Sequence, residues 1–309
     1  MNEFELIARL TRSLPTNKSV VVGPGDDCAV LDMGLPDRLL LFKTDAVVEG
    51  IHFQSPAPPE KIGRKALARC LSDIAAMAGT PTAALVTIAL PASFDPDFVQ
   101  KIYAGINALA RAHDVAIVGG ETSSNPERLL ISISLLGWVP RGKAVLRSGA
   151  EAGDAIFATG DLGGSIGGKH LEFEPRLAEA KWLVQHFNIH AMIDISDGLA
   201  GDLRHIINAS RLGAELLATA IPVSSEARRK AKATSSKPAL LAALTDGEDF
   251  ELLFTVASRD AVPLLDAWKK EFPNLRLSCI GRITAGEGVT IRDKNGVREL
   301  KTHGYTHFS

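Results

Sequence analysis

Two periods run through the hydrophobic and polar positions of this chain. The apolar run Leu39-Leu-Leu-Phe-Lys-Thr44 predicts a strand that ends at Asp45. Over 61–78 the residues Ile62, Ala66, Leu67, Cys70, Leu71, Ile74, Ala75 and Ala78 recur at three- and four-residue spacing, which predicts a helix stopped by Gly79-Thr-Pro81. Positions 83–90 read as a buried strand closed by Pro91. Phe98, Ile102, Tyr103, Ile106 and Leu109 share one face of a helix over 96–113, with Asp95 as its N-cap. A short strand is expected over 115–118, ending in Gly119-Gly120, and a long one over 129–139.

The pattern then breaks. Pro140-Arg-Gly-Lys143 and Gly149-Ala-Glu-Ala-Gly153 are loop-like and bracket a boundary. Beyond it, strands are expected over 155–159, 191–195, 250–257 and 275–283, and helices over 175–187, 199–208 and 260–271. The Lys/Ala/Ser-rich stretch 224–237 predicts a surface loop or an exposed helix. Mixed elements in both halves point to an α/β fold of α+β type. Its two layered mixed-sheet domains are expected at 1–142 and 143–309, as a length of 309 residues suits. No fixed-period repeat is visible, which excludes a solenoid.

Composition narrows the function. Hydrophobic residues make up 46% and charged residues 23%, enough to build a core and too apolar for a disordered chain. Lys plus Arg number 34 and Asp plus Glu 36, a net charge of −2. That balance gives no electrostatic reason for a nucleic-acid or membrane partner, so an anionic ligand has to be met by local groups or metal ions. The three cysteines are far apart and lack CxxC spacing, which argues against a disulfide framework or a zinc site and for a reducing compartment. The first residues carry acids where a signal peptide carries bases, and no apolar run reaches about 18 residues. A cytoplasmic location is expected.

The chemistry lies in carboxylates at strand ends and Gly-rich turns: Gly25-Asp-Asp27, Thr44-Asp45, Ser72-Asp73, Gly119-Gly-Glu-Thr122, Asp194-Ile-Ser-Asp-Gly198 and Gly247-Glu-Asp249. Most sit beside Gly, Ser or Thr rather than Lys or Arg. Grouped without cations they would repel, and hard divalent ions relieve that repulsion through oxygen ligands. Any one of them also reads as a turn residue or helix cap. Asp73, inside a helix, and Asp194-Ile-Ser-Asp-Gly198, directly after an apolar strand, resist that reading most. Gly163-Gly-Ser-Ile-Gly-Gly-Lys-His170 matches GxxxxGK, but His170 stands where a P-loop uses Ser or Thr to hold its metal. Its backbone could still hold an anion. The histidines show no HExxH motif. His52 lies in a Pro-rich loop and reads equally as a solvated residue, and Arg147 as either a surface residue or a bidentate polyphosphate partner.

In this order the motifs resemble the thiamine-monophosphate kinases of the aminoimidazole ribonucleotide synthetase (PurM-like) superfamily. The resemblance rests on Phe4-Glu-Leu-Ile7, Gly25-Asp-Asp-Cys-Ala-Val30, Thr44-Asp-Ala-Val-Val-Glu-Gly-Ile-His-Phe53, Lys65-Ala-Leu67 with Leu71-Ser-Asp-Ile-Ala-Ala-Met77, and Gly119-Gly-Glu-Thr122. It continues through Arg147-Ser-Gly-Ala150, Asp194-Ile-Ser-Asp-Gly-Leu199, Gly247-Glu-Asp-Phe-Glu-Leu-Leu-Phe254 and Gly304-Tyr-Thr-His-Phe308. It implies PurM-like domains, the N-terminal one binding ATP and metal and forming a homodimer. It also implies ATP with several Mg²⁺ ions between the domains, and conversion of thiamine monophosphate to thiamine diphosphate. Carried over by position, Asp26, Asp27, Thr44, Asp45, Asp73, Glu121, Asp194 and Asp197 would be metal ligands. Gly120, Glu121, Arg147 and Ser196 would contact ATP, and His52, Glu248 and Tyr305 the substrate. Asp45, Asp73 and Arg147 would carry the catalysis.

Two positions depart from the family. Glu121 replaces the usual Asp of Gly-Gly-Asp-Thr, which moves that carboxylate outward. Lys43 stands where Ser or Thr is usual; pointing inward it would replace one cation, and pointing outward it would contribute only backbone. The reaction suits the residues. A phosphate monoester with a second pKa of about 6 is already a nucleophile, so no base is needed. The obstacle is charge: each like pair at 4 Å repels by about 4 kcal/mol at an effective dielectric of 20. Direct in-line transfer in a metal-loaded cleft is the expected answer. The rival readings are a sister ATP-dependent synthetase acting on another substrate, a P-loop NTPase, and a non-catalytic nucleotide-binding protein.

Overall fold

The computed structural model describes residues 3–234 and 237–306. The chain divides into two compact units. The N-terminal unit holds Lys18–Ala144 together with Gly168–Leu177, and the C-terminal unit holds the rest, including helix α1 (Glu3–Thr11).

The N-terminal unit is a six-stranded sheet with helices on one face. Its strands are β1 (Val20–Val22), β2 (Ala29–Leu31), β3 (Arg38–Val48), β4 (Thr80–Leu90), β5 (Ala116–Ser124) and β6 (Leu130–Pro140), in the order β1-β2-β3-β6-β4-β5. All pairs are antiparallel except β4 with β5. Helix α2 (Pro59–Ala76) lies on β3, β4 and β6, and α3 (Pro96–Ala112) packs on α2. Asp95 caps α3, its side chain accepting the Asp97 amide at 3.0 Å as expected. The two helices meet through a reciprocal glycine notch. A Cβ on Gly63 would lie 1.9 Å from the Ile102 carbonyl oxygen, and one on Gly105 equally close to that of Glu60. This close crossing fixes α2, and with it every α2 side chain that faces β3.

Strand β5 runs on to Ser124 instead of ending at Gly119-Gly120. Gly120 lies inside it because β4 passes so close that a Cβ would meet the Val86 carbonyl at 1.8 Å. The glycines that read as a terminator are a close-approach site.

The C-terminal unit carries a seven-stranded sheet. Its strands are β7 (Ala155–Thr159), β8 (Ile189–Asp194), β9 (Gly213–Leu217), β10 (Leu252–Val256), β11 (Leu277–Thr284), β12 (Gly288–Asp293) and β13 (Gly296–Glu299). They run in the order β13-β12-β9-β11-β7-β10-β8. Helices α4 (Leu177–His186), α5 (Leu199–Ser210), α6 (Ser225–Thr234), α7 (Ala239–Thr245) and α8 (Ala261–Glu271) complete it. β7 and β10 are buried along their whole length, the mark of central strands covered on both faces. The core is built from Ile156, Ile193, Leu203, Ile206, Leu253 and Ile280 among others. The polar stretch after Ser224 forms the helix α6. No helix among the described residues is long and apolar enough to cross a membrane.

Candidate active site

In the N-terminal unit the site starts from the alternation of β3. Lys43 and Asp45 face α2, while Phe42 and Thr44 face the opposite, exposed side. The Lys43 Nζ lies 2.9 Å from Asp73 Oδ1, and the Arg69 Nε 3.3 Å from Asp45 Oδ2. Arg69 and Asp73 are one helical turn apart, so two cross-element ion pairs stack along the β3–α2 seam. Asp73 is 8% exposed and Lys43 21%. Burial alone would drive the Lys43 ammonium toward neutrality. The charges of Asp73 and Asp45 outweigh it and hold its pKa well above the ordinary lysine value.

This corrects the expectation of carboxylates without cations. Buried Asp73 and half-buried Asp45 meet one each, from residues distant in sequence. Asp27 is buried in the loop before β2, and Asp26 Oδ1 accepts its amide at 3.1 Å. Burial, followed by the neighbouring Asp73 charge, pushes the Cys28 thiol well up. Burial, followed by Asp45, does the same to Cys70. Neither thiol is a nucleophile.

Thr44 and Glu121 lie elsewhere. The Thr44 hydroxyl is 3.4 Å from that of Ser132 and accepts from that of Ser134 at 3.3 Å, on the open face of the sheet. Exposed Glu121 is in register with Thr87, Ser132 and Ala46 on that same face. β5 is three strand spacings from β3, about 14 Å. Within one chain, therefore, neither the Thr44 hydroxyl nor Glu121 joins Asp45 and Asp73 around one ion. His52 is fixed at both ends. Its Nδ1 accepts the Val48 amide at 3.1 Å, and its carbonyl accepts from the buried Lys65 Nζ at 2.5 Å. A ring that accepts at Nδ1 carries its N–H at Nε2.

In the C-terminal unit, buried Asp194 ends β8 and the chain turns through Ile195-Ser-Asp-Gly198 into α5. Two other segments brace that turn. The Glu248 amide donates to the Ser196 carbonyl at 2.7 Å, and the Phe250 amide to that of Ile195 at 2.8 Å. The Tyr305 amide donates to the Asp197 carbonyl at 2.8 Å. Glu248 and Phe250 adopt φ of 59° and 51°, left-handed conformations that non-glycine residues tolerate only when the surroundings impose them. Ser196, Asp197, Glu248 and Tyr305 are thus gathered in one place. From within α5, Asp202 Oδ2 accepts the Asp197 and Gly198 amides at 3.2 and 3.0 Å. Burial, then the charges of Asp197 and Asp194, push its carboxyl well above the usual range. Arg147 opposes this, so it too belongs to the neighbourhood.

The Gly-rich stretch after β7 is not a phosphate loop. The Gly163 amide donates to both carboxylate oxygens of buried Asp249, at 3.0 and 2.9 Å, and the Gly164 amide to Asp246 at 3.0 Å. Ser165 Oγ also donates to Asp249. Short 3₁₀ turns follow rather than an α-helix. The amides that would cradle an anion already hold the protein's own carboxylates. Lys65, Arg69, Asp202 and Asp246 are the residues that sequence reasoning left without a role. The fully buried Lys65 carried a signal in its position within an otherwise apolar helical face.

Hard oxygen donors suited to Mg²⁺ stand in both units, Asp26 and Asp27 in one and Asp194 and Asp197 in the other. Residues 25–139 match the family described as AIR synthase related protein, N-terminal domain, and 151–294 match its C-terminal domain. A thiamine-monophosphate kinase of Rhodopirellula baltica is 45% identical over 81% of this chain and 80% of its own. One from Escherichia coli K12 is 35% identical over 99% and 98%. A structure described as AaThiL complexed with AMPPCP and TMP matches with a TM-score of 0.82 at 30% identity, covering 99% of this chain and 97% of the other. Escherichia coli HypE, a hydrogenase maturation protein, shares the fold at 20% identity, with a TM-score of 0.73 over 98% of both chains.

Proposed function

Because the chain belongs to the AIR synthase-related family, and within it to the thiamine-monophosphate kinases, we infer that it transfers the γ-phosphoryl group of ATP to thiamine monophosphate. The observation that carries this reading is the full-length likeness to a structure holding both an ATP analogue and TMP. The products are thiamine diphosphate and ADP.

The residues suit a direct transfer. The acceptor is a phosphate monoester, mostly dianionic at neutral pH, and supplies its own nucleophilic oxygen. The two thiols inside the N-terminal unit are held protonated, and the His52 ring, accepting at Nδ1, has a donor at Nε2, which suits an acceptor phosphate rather than a proton on it. Arg147 would pair with the polyphosphate, with Ser196, Gly120 and Glu121 beside the nucleotide. His52, Glu248 and Tyr305 would seat the acceptor, the left-handed backbone at Glu248 holding its carboxylate in place. Mg²⁺, held by Asp26, Asp27, Asp194 and Asp197, would supply charge neutralisation of the phosphates.

The exposed face of the N-terminal sheet supports a homodimer. Phe42, Leu85, Val118 and Leu136 stand 37–62% exposed there beside the Thr44, Ser132 and Ser134 hydroxyls. A second copy laying the same face against it would bury this patch.

The test is an end-point reaction with ATP, Mg²⁺ and thiamine monophosphate, with free thiamine as a parallel acceptor and chromatographic separation of the thiamine phosphates. Thiamine diphosphate from the monophosphate alone is the expected result. No product from folded protein would move the assignment to a sister substrate.

A further inference from the structure

We propose that Lys43 is a built-in counter-ion: its ammonium occupies the place of one divalent cation at Asp73, so the N-terminal carboxylate cluster takes up one metal ion fewer than its acids could support. The proposal rests on the kinase reading, since it concerns the ions of that same site.

Three observations carry it. Lys43 reaches Asp73 Oδ1 at 2.9 Å, a full ion-pair contact, from a side chain packed against α2. The neighbouring acid on β3 is treated alike, Asp45 being held by Arg69 at 3.3 Å. Charge then decides the capacity. Asp27, Asp45 and Asp73 bring three negative charges, and Lys43 and Arg69 two positive ones. One divalent ion reverses the sign of this group. With Asp26 counted as well, one ion just neutralises it. A second ion would enter a group of N-terminal side chains already neutral or positive.

Lys43 also differs from a metal ion in kind. It is tethered to β3, present at any Mg²⁺ concentration, and donates hydrogen bonds instead of accepting lone pairs. The packing of α2 on β3 keeps it within reach of Asp73, while the Gly63–Gly105 notch holds α2 to α3.

The experiment counts ions directly. Full-length protein, free of nucleotide and substrate, is titrated with Mn²⁺, and free Mn²⁺ is read by electron paramagnetic resonance. Wild type, Lys43→Ser and Lys43→Arg are compared after thermal melts establish folding, with Lys43→Gln replacing the serine variant if that fails to fold. The neutral variant is expected to bind one more Mn²⁺ equivalent per chain than wild type, and the arginine variant the wild-type number. Ions held by the C-terminal unit cancel in the difference. Equal numbers in wild type and neutral variant overturn the proposal, as does an arginine variant that gains the ion. The count is taken without ATP or thiamine monophosphate, so a failed kinase reaction beside the expected count falls on the functional reading alone.

Discussion

Replacing Asp202 with alanine strips the acceptor from two backbone amides, those of Asp197 and Gly198, in a turn that the structure buries. Each buried amide left unsatisfied costs about 1–3 kcal/mol. The Asp197 amide is only partly buried, so the pair amounts to roughly 2–4 kcal/mol. For a unit of this size that lowers the melting temperature by roughly 5–15 °C. Asp202→Asn behaves differently, because its carbonyl oxygen keeps both bonds. Burial, then Asp197 and Asp194, raise the Asp202 carboxyl above its unfolded value. The stability such a group brings is present below the unfolded value near 4. It is lost as pH rises through the folded value, where the buried group must carry charge. Asparagine never takes on that charge, so its advantage over aspartate grows from pH 5 to pH 8. Differential scanning fluorimetry in EDTA, at pH 5, 6.5 and 8, reads this directly. An asparagine variant at pH 8 as unstable as the alanine one would refute the reasoning. It would show that attraction between the Asp202 charge and Arg147 governs the turn.

Other outcomes follow from the same geometry. Lys169→Ala keeps ATP-dependent turnover within about twofold, since the amides of Gly163 and Gly164 already serve Asp249 and Asp246; steady-state assay showing loss of turnover would restore the phosphate-loop reading. Gly63→Ala forces a Cβ to 1.9 Å from the Ile102 carbonyl and destabilises by about 1–3 kcal/mol or more, seen as a lowered urea midpoint. Leu85→Glu places a charge in the open apolar face and, with the proposed homodimer built on that face, is expected to give a monomer's mass where the wild type gives a dimer's in size-exclusion chromatography with light scattering; equal masses for the two would overturn that use of the face.

Much of the fold was legible because its elements are long and strongly periodic. The α2 and α3 helices and strands β3, β4 and β6 lie within a few residues of their expected limits. β1 and β2, three residues each, are too short to show a period. β5 was cut short because a glycine pair reads as a stop until the neighbouring strand is seen pressing on Gly120. The site divides the same way. The turn after Asp194 was legible as an apolar strand running into Asp and Gly. The pairing of Lys43 with Asp73 was not, because it joins a strand to a helix across 30 residues and depends on how α2 crosses the sheet. Strand alternation alone shows that Lys43 and Asp45 share a face, without showing what they face. Asp249 and Asp202 read as candidate ligand and plain helix residue. Both serve as braces for backbone amides, a role visible only when the amides and the carboxylates are brought together.

The strict two-residue alternation of β3 has an evolutionary consequence. Its odd positions, Lys43 and Asp45, serve the ion-pair seam, and its even positions, Phe42 and Thr44, serve the open face. A single residue inserted or deleted within β3 itself, ahead of Phe42, would exchange the two sets, putting a lysine and an aspartate on the apolar patch and a phenylalanine against Asp73. Both properties would fail together. The lineage of this strand is therefore confined to point substitutions. A homologue that alters its ion count must do so by changing residue 43 or 45 in place, while its length stays fixed.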